Sequence, residues 1–495
     1  MTYRDTGERP NVVVILADDM GWGDLGCYGG TAIPTPRMDA LAARGTRFTD
    51  AHSASAVCTP SRYALLTGRY AWRSPLKSFV LMGHGPPLIE PERPTVASLL
   101  HDAGYATAAF GKWHLGLGWR WRDGHVETAF GPGARLHVGP ERDAGYEVDY
   151  SQPFSGGPLE LGFERFFGIS GSLDMPPYCF LDQDRTRGIP DEPKAEYITS
   201  QRKGLQTAGW RDDQVDVTVA DAAVDWLRER PADGRPFFLY LTPAAPHRPC
   251  VPPDFVQGHS RAGNRGDAVC LVDWMVGRVC DALAEIGCAD NTIVVLSSDN
   301  GAPMIYPEDG DTEIHRPNGP YRGQKGDIWD GGHREPLIVR WPGHVPEGAV
   351  RGDLIGLNDL FPAIAHATRC PVPDGAAEDG VDLLDAVTGG AEVTDRVLVH
   401  HSLGGRFAIR LGAWKVEFCT GSGDGFSAPA GEPFDRDHPV GQLYDLASDP
   451  YETVDLWHDR PDIVAGAYDV LRGICLDPGS GLPFDVELPS GERRR

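Results

Sequence analysis

Along the chain, short apolar runs alternate with stretches whose apolar residues recur every three or four positions. Asn11–Ala17 (NVVVILA) is apolar after its first residue and stops at Asp18-Asp19, the pattern of a strand buried on both faces. Tyr105–Phe110, Pro236–Leu241, Asn291–Ser297 and Leu337–Arg340 repeat that pattern. Between them, Pro36–Arg44, Thr95–Ala103, Val215–Arg228 and Gly266–Ile286 fit helices. In the last of these, Val269, Val272, Met275, Val279, Leu283 and Ile286 share one face, and Gly287 follows as the stop. Gly104 closes Thr95–Ala103 in the same way. Strand–helix alternation of this kind predicts an α/β fold class, with a large mixed, mostly parallel sheet sandwiched by helices.

Two regions break the rhythm. Gly116–Phe166 is rich in Gly, Trp and charge and has no period, which predicts a long functional loop. Trp119 and Trp121 within it have two readings, as rings that stack on a ligand or as plugs for the core of the loop. Beyond about Arg396 the runs shorten, and Val397–His401, Phe407–Leu411, Trp414–Phe418 and Gln442–Leu446 predict a small antiparallel sheet. A helix near Pro461–Gly473 is expected to close it. The chain is therefore expected to divide into a large domain over 1–395 and a smaller C-terminal α+β subdomain over 396–495.

Composition narrows the partners. The 495 residues carry 46 Lys+Arg against 71 Asp+Glu, a formal net charge of -25, which disfavours nucleic acid and anionic membrane surfaces. Val12–Ala17 is far too short to span a bilayer, and Met1–Pro10 (MTYRDTGERP) has no apolar signal core, so a cytoplasmic protein is expected. None of the ten cysteines forms C-x-x-C, so zinc or a thioredoxin-like pair is not expected, and most should be buried thiols.

The candidate chemistry sits where the strands end. Asp18-Asp19, Gly111-Lys112-Trp113-His114, Pro243–His247 and Asp299-Asn300-Gly301 each follow a predicted strand. Ligands bind outside the carboxyl ends of strands in open α/β sheets, so these segments can converge. Asp18, Asp19, Asp299 and Asn300 offer only oxygen, which suits one hard divalent cation, Ca²⁺ ahead of Mg²⁺, and not zinc. A single Asp after a strand is more often a helix cap or turn residue, but two such pairs at strand ends favour a metal. Lys112, His114 and His247 add cationic groups, which fits an anionic substrate whose charge grows in the transition state.

One local motif is sharper than these. Cys58-Thr59-Pro60-Ser61-Arg62, followed by Tyr63–Arg69 (YALLTGR), resembles the signature of the type I sulfatases, the formylglycine-dependent, arylsulfatase-A-like branch of the alkaline phosphatase superfamily. Asn11–Gly26, Gly111–Leu115 (GKWHL), Ser298–Gly301 (SDNG), Gly323–Pro336 (GQKGDIWDGGHREP) and Leu443–Pro450 (LYDLASDP) with Glu452 resemble further blocks of that family, in order.

The resemblance implies a sulfuric ester hydrolase acting on aryl or sugar sulfates. In it, Cys58 is converted by a maturation enzyme to formylglycine, whose hydrate attacks sulfur and passes through a covalent sulfo-enzyme intermediate. It implies that Asp18, Asp19, Asp299, Asn300 and the modified Cys58 bind the metal, and that Arg62 orients the formylglycine. It further implies that Lys112 and Lys325 hold the sulfate oxygens, that His114 assists the modified residue, and that His247 is the candidate general acid. Ser172, in Gly168–Asp174 (GISGSLD), is implied as a substrate-binding serine. The expected partners are a small sulfate ester and the maturation enzyme. The competing readings are a phosphomonoesterase, phosphodiesterase or phosphonate hydrolase using the same site, and a non-catalytic calcium- or sugar-binding protein. His84, His101, His125, His366, His400 and His401 match no block and are expected at the surface or packed behind the site.

Overall fold

The computed structural model describes residues 9–130, 143–195, 201–307, 310–312, 314–393, 396–431 and 440–475. Its first strand, β1 (Asn11–Ala17), is fully buried, and its side chains divide between two cores. Val12, Val14 and Leu16 face one apolar cluster, while Val13, Ile15 and Ala17 face another. This is the period of two that a strand imposes, read here with both faces covered.

In chain order the further strands are β2 (Thr46–His52), β3 (Ala106–Lys112), β4 (Arg165–Ile169), β5 (Leu181–Asp182), β6 (Arg185–Thr186), β7 (Glu192–Pro193) and β8 (Leu205–Gln206). They are followed by β9 (Phe237–Thr242), β10 (Thr292–Ser298), β11 (Arg334–Arg340) and β12 (Ala349–Gly356). Ten of these form one sheet in the order β12-β2-β11-β10-β1-β9-β3-β4-β5-β6, while β7 and β8 pair separately. The five central strands β10, β1, β9, β3 and β4 are mutually parallel, so their carboxyl ends share one edge. β11 runs antiparallel to both its neighbours, which makes the sheet mixed.

Helices cover both faces. α1 (Pro36–Ala43), α4 (Val215–Arg228) and α5 (Gly263–Glu285) pack on the face that Val13 and Ile15 enter. α2 (Cys58–Thr67), α3 (Val96–Asp102) and α6 (Leu360–Ala367) pack on the other. The tail supplies a four-stranded antiparallel sheet, β13 (Val397–His401), β14 (Phe407–Leu411), β15 (Trp414–Glu417) and β16 (Gln442–Asp445), and the helix α7 (Pro461–Cys475). Its core of Leu398, Phe407, Ile409, Val416, Val464 and Leu471 is continuous with Ala64, Tyr70 and Trp72 of the large part.

The α/β class, the mixed sheet and the small antiparallel sheet are as the pattern of apolar positions predicts. The strand at Thr46–His52 is new, because TRFTDAH carries polar side chains that are buried only through their partners. Among its described residues the long loop keeps little regular structure, and Trp119 and Trp121 are 3% and 4% exposed. Trp119 meets Tyr150 and Phe154 edge-on or tilted, so the plug reading holds over the stacking one. Residues 131–142 of that loop, the 1–8 segment and the proposed boundary at 394–395 lie outside the described residues. No helix among the described residues is long and apolar enough to cross a membrane. All ten cysteines are free thiols.

The unmatched histidines divide between surface and interior. His101, His125 and His366 are exposed, but His84, His400 and His401 are buried. His84 bonds Tyr150 at 2.8 Å under the long loop, and His400 and His401 lie against the segment that leads into α2.

Candidate active site

Four neighbouring strands, in the order β10-β1-β9-β3, deliver their C-terminal residues to one place. Asp18-Asp19 leave β1, Asp299-Asn300 leave β10, Lys112 ends β3 with His114 just beyond it, and His247 follows β9. Asp19 and His114 sit at φ 66° and 57°, a left-handed conformation that is strained for residues with a Cβ. Gly111 has no such side chain to place. A Cβ there would lie 2.0 Å from the Thr242 carbonyl oxygen, so glycine is what lets β3 close on β9 before Lys112.

The C-x-P-x-R segment forms the start of α2. All ten residues of this helix are buried, and Gly68 at φ 65° ends it. Pro60 falls in the first turn, where its missing N–H breaks no helical bond. Cys58 and Arg62 are four apart and so lie one above the other on one face. Cys58 therefore sits at the positive end of the helix, where an anion is favoured.

The charged side chains interlock. Arg62 reaches Asp299 Oδ2 at 2.8 Å and donates to the Lys112 carbonyl at 3.1 Å. Lys112 Nζ donates to Asp18 Oδ2 at 2.7 Å, and Lys325 Nζ lies 2.8 Å from Asp19. Asn300 Nδ2 donates to Asp19 Oδ1 at 2.7 Å, and His247 Nε2 stands 3.7 Å from Asp19 Oδ2. Three carboxylates (Asp18, Asp19, Asp299) are thus matched by three permanent cations (Arg62, Lys112, Lys325). Two acceptor oxygens in the cluster, Asp18 Oδ1 and Asn300 Oδ1, are buried without a hydrogen-bond partner.

Burial pulls the Asp18 carboxyl upward, but Lys112, His247, Arg62 and Lys325 together override it and hold it far below the usual carboxylate range. Asp299, raised by burial and by its neighbours Asp18 and Asp19 against the pull of Arg62 and Lys112, is pushed up to about 6. Cys58 is 2% exposed, and burial pushes its thiol up to about 12 despite Lys112 and Lys325. The unmodified side chain is therefore a neutral thiol, neither a thiolate nucleophile nor a ligand for a hard cation.

Asp18, Asp19, Cys58 and His247 each place one ligand atom within 4.8 Å of the others. With the orphaned Asp18 and Asn300 oxygens, an oxygen-dominated donor set fits a hard divalent cation. His114 is buried, donates Nε2–H to the Leu81 carbonyl at 2.8 Å and leaves Nδ1 without a partner. His247 bonds the Arg248 carbonyl through Nδ1 at 2.6 Å, which directs Nε2 to the cluster.

A cavity of about 220 Å³ opens over the cluster, lined by Asp19, Cys58, His114, His247 and Lys325. Sequence reasoning missed the rest of its wall, which includes Asp174, Arg202, Arg248, Tyr306 and Phe426, because these residues come from loops without a period. It also missed Asp216, whose buried carboxylate accepts the Ala244 and Ala245 N–H groups at 2.8 and 2.9 Å and so fixes the turn before His247. Of the residues singled out from sequence, Asp18, Arg62, Lys112, Asp299 and Asn300 lie in the cluster without lining the cavity, and Ser172 belongs to neither. It is buried with an unpartnered Oγ and does not line the cavity.

Comparison with known proteins gives the same answer as the geometry. A family profile described as Sulfatase matches residues 10–369. An N-acetylgalactosamine-6-O-sulfatase of Bacteroides thetaiotaomicron is 31% identical, covering 95% of this chain and 94% of its own. Arylsulfatase A of Homo sapiens is 32% identical over 90% of this chain and 83% of its own. A solved Bacteroides thetaiotaomicron structure, from work on the metabolism of multiple glycosaminoglycans, superposes with a TM-score of 0.80 at 28% identity, covering 94% of this chain and 99% of that one. With a charged, metal-competent cluster built around Cys58 on the shared fold, this chain belongs to the sulfatase family and is an enzyme of that family.

Proposed function

We propose that this enzyme hydrolyses aryl or sugar sulfate monoesters by covalent catalysis at a formylglycine derived from Cys58, with one divalent cation, Ca²⁺ ahead of Mg²⁺, beside it. The observation that carries the reading is the cluster of Asp18, Asp19, Cys58 and His247, with ligand atoms within 4.8 Å, of which Asp19, Cys58 and His247 line the cavity. Asp18, Asp19, Asp299 and Asn300 would hold the cation, whose charge would stabilise a sulfuryl group in transfer and favour ionisation of an adjacent hydroxyl. The hydrated aldehyde supplies a nucleophilic hydroxyl and a second hydroxyl through which the residue can release sulfate, an exit that a serine lacks.

The chain's own residues divide the remaining work. Without the cation the three carboxylates and three cations balance, so the loaded site carries net positive charge for a sulfate monoester. Lys112 and Lys325 neutralise Asp18 and Asp19 here; with those carboxylates committed to a cation, both ammonium groups are available to sulfate oxygens. Arg62 fixes Asp299 and stands one helical turn from Cys58, so it orients both. His114 presents an unpartnered Nδ1 as proton acceptor for the modified residue. His247, with Nδ1–H on a carbonyl, presents Nε2 to donate a proton to the departing oxygen. Ser172 is kept as a candidate contact to substrate through its unpartnered Oγ. Because Cys58 is 2% exposed in the folded chain, the maturation enzyme would act before α2 packs. The same reading assigns the chemistry to a catalytic domain over 1–395, with 396–495 as its subdomain.

The test is turnover of 4-nitrophenyl sulfate against 4-nitrophenyl phosphate and a phosphodiester. The reading expects sulfate to be the preferred substrate and His247→Ala to harm sulfates with poor leaving groups more than the nitrophenyl ester. A preference for either phosphate ester would replace it with the phosphohydrolase reading.

A further inference from the structure

Beyond the charged cluster, the lining of the cavity has a chemistry of its own. Asp174 and Arg202, 28 residues apart on separate loop segments, meet there as a carboxylate–guanidinium pair, with Arg202 Nη1 donating to Asp174 Oδ2 at 2.5 Å. The pair is built rather than incidental. The Arg202 backbone N–H donates to the Asp174 carbonyl at 2.7 Å, Tyr178 Oη donates to the Arg202 carbonyl at 2.5 Å, and Gln201 Nε2 donates to the Leu173 carbonyl at 2.8 Å. Yet Asp174 Oδ1 is left without a hydrogen-bond partner. A carboxylate with one oxygen unspent beside a guanidinium offers an acceptor and donors side by side, which matches the hydroxyl groups of a sugar edge.

The remaining wall is apolar. Val80, Pro303, Leu403 and Phe426 line it, and Arg248 stacks on the Tyr306 ring at 3.6 Å. Phe426 is 54% exposed and its ring lies against Gly326, next to Lys325, where a Cβ would meet it at 2.9 Å. A sugar ring has hydroxyls at its edge and C–H groups on its faces, so it meets both kinds of wall. An aryl or steroid group would leave Asp174 unanswered, and an unanswered buried polar group is what makes such sites reject isosteres. The cavity of about 220 Å³, roughly seven waters' worth of liquid volume, has room for the sulfate and one ring.

We propose that Asp174 and Arg202 form a specificity clamp that reads the hydroxyls of a single sulfated sugar ring, with Phe426 against its C–H face. The clamp rests on the sulfatase reading of the charged cluster and narrows its substrate class to sugar sulfates. The test uses formylglycine-containing enzyme with a panel of hexose and hexosamine sulfates and with 4-nitrophenyl sulfate, which has no hydroxyl to read. In Asp174→Ala and Arg202→Ala, the ratio of kcat/KM on the best sugar sulfate to kcat/KM on the nitrophenyl ester should fall about 10- to 100-fold. Asp174→Asn, which keeps an acceptor oxygen, should recover part of the ratio. Equal losses on both substrates would assign the pair a merely structural role and overturn the clamp. So would a wild-type enzyme active on nitrophenyl sulfate but on no sugar of the panel. A wild-type enzyme active on neither would overturn the sulfatase reading and the clamp together.

Discussion

Two of the protein's buried clusters of opposed charge are built on different terms. One is the cluster around Cys58 at the carboxyl edge of the large sheet. The other lies at the seam between the two sheets, where Lys415 of β15 reaches the Ile328 carbonyl at 2.9 Å, Asp330 at 2.9 Å and Glu452 at 2.6 Å. Around it Arg334 and Arg410 clasp Asp50 of β2, each at 3.0 Å. Lys415 Nζ also stands 3.2 Å from His333 Nε2, and His333 shares a 3.0 Å contact with His52. His52, His333 and His400 are close enough to hold a metal, but the His333 and His400 rings stack at 4.0 Å and the ammonium fills the space beside them. At the seam, charge meets charge between two parts of the fold, although Glu417, 3.3 Å from Lys415, keeps both carboxylate oxygens without a hydrogen bond and a second cavity opens beside Asp50, Arg334 and Arg410. At the strand ends, the charges gather around Cys58, beside the cavity that Asp19, Cys58, His247 and Lys325 line. Buried charge that ties two parts of a fold together stabilises only when intact, whereas charge gathered around a reactive side chain serves a ligand.

That contrast sets four predictions, from the largest effect to the smallest. Cys58→Ala should lower kcat on 4-nitrophenyl sulfate by at least about 1,000-fold while leaving the thermal midpoint nearly unchanged, since a neutral buried thiol is replaced by a small apolar group. A variant that keeps substantial turnover would remove Cys58 from the chemistry. Chelation should reduce turnover by at least about 100-fold and Ca²⁺ should restore it. The fold should persist meanwhile, because Arg62, Lys112 and Lys325 already balance the carboxylates. Cooperative unfolding on chelation, followed by circular dichroism, would make the site a structural metal centre instead.

Lys415→Met should act the other way. Removing one partner leaves Glu452 buried without its cation and Asp330 with Arg334 alone, a loss of about 3–5 kcal/mol in urea unfolding, with kcat per folded molecule retained. Loss of turnover without loss of stability would erase the distinction between the two clusters. The smallest effect is a pH slope. Burial lowers His401 to about 4 in the folded chain, below its ordinary 6.5, so the unfolded chain binds that proton more tightly. The stability this neutral histidine contributes is full above about pH 6.5 and is lost as pH falls towards 4, on the order of 3 kcal/mol in all. His401→Gln should flatten that part of the curve of unfolding free energy against pH. An unaltered slope would mean that other groups carry the acid sensitivity.

The two clusters also differed in how far the sequence disclosed them. Asp18-Asp19, Lys112, His247 and Asp299-Asn300 stand out as polar punctuation at the ends of apolar runs, and one parallel sheet has to bring such ends together. Asp50 and His52 belong to no apolar run, and His400 and His401 match no block. What buries them is a set of partners some 280 to 360 positions away, which no local period records. The C-terminal block around Tyr444 and Glu452 resembles its counterparts in the family, yet its buried carboxylate serves the seam, on Lys415. Asp174 and Arg202 were illegible for the same reason, since loops carry no phase from which a shared wall can be read.

The measurement that tests the account most directly joins chemistry to occupancy at one residue. The tryptic peptide Phe48–Arg62 is quantified by mass for aldehyde against thiol at Cys58, across preparations made with and without a maturation enzyme, and kcat is measured on the same samples. The account predicts that kcat rises in proportion to the aldehyde fraction and extrapolates to zero for the pure thiol. Full turnover from protein whose Cys58 is entirely thiol would contradict it.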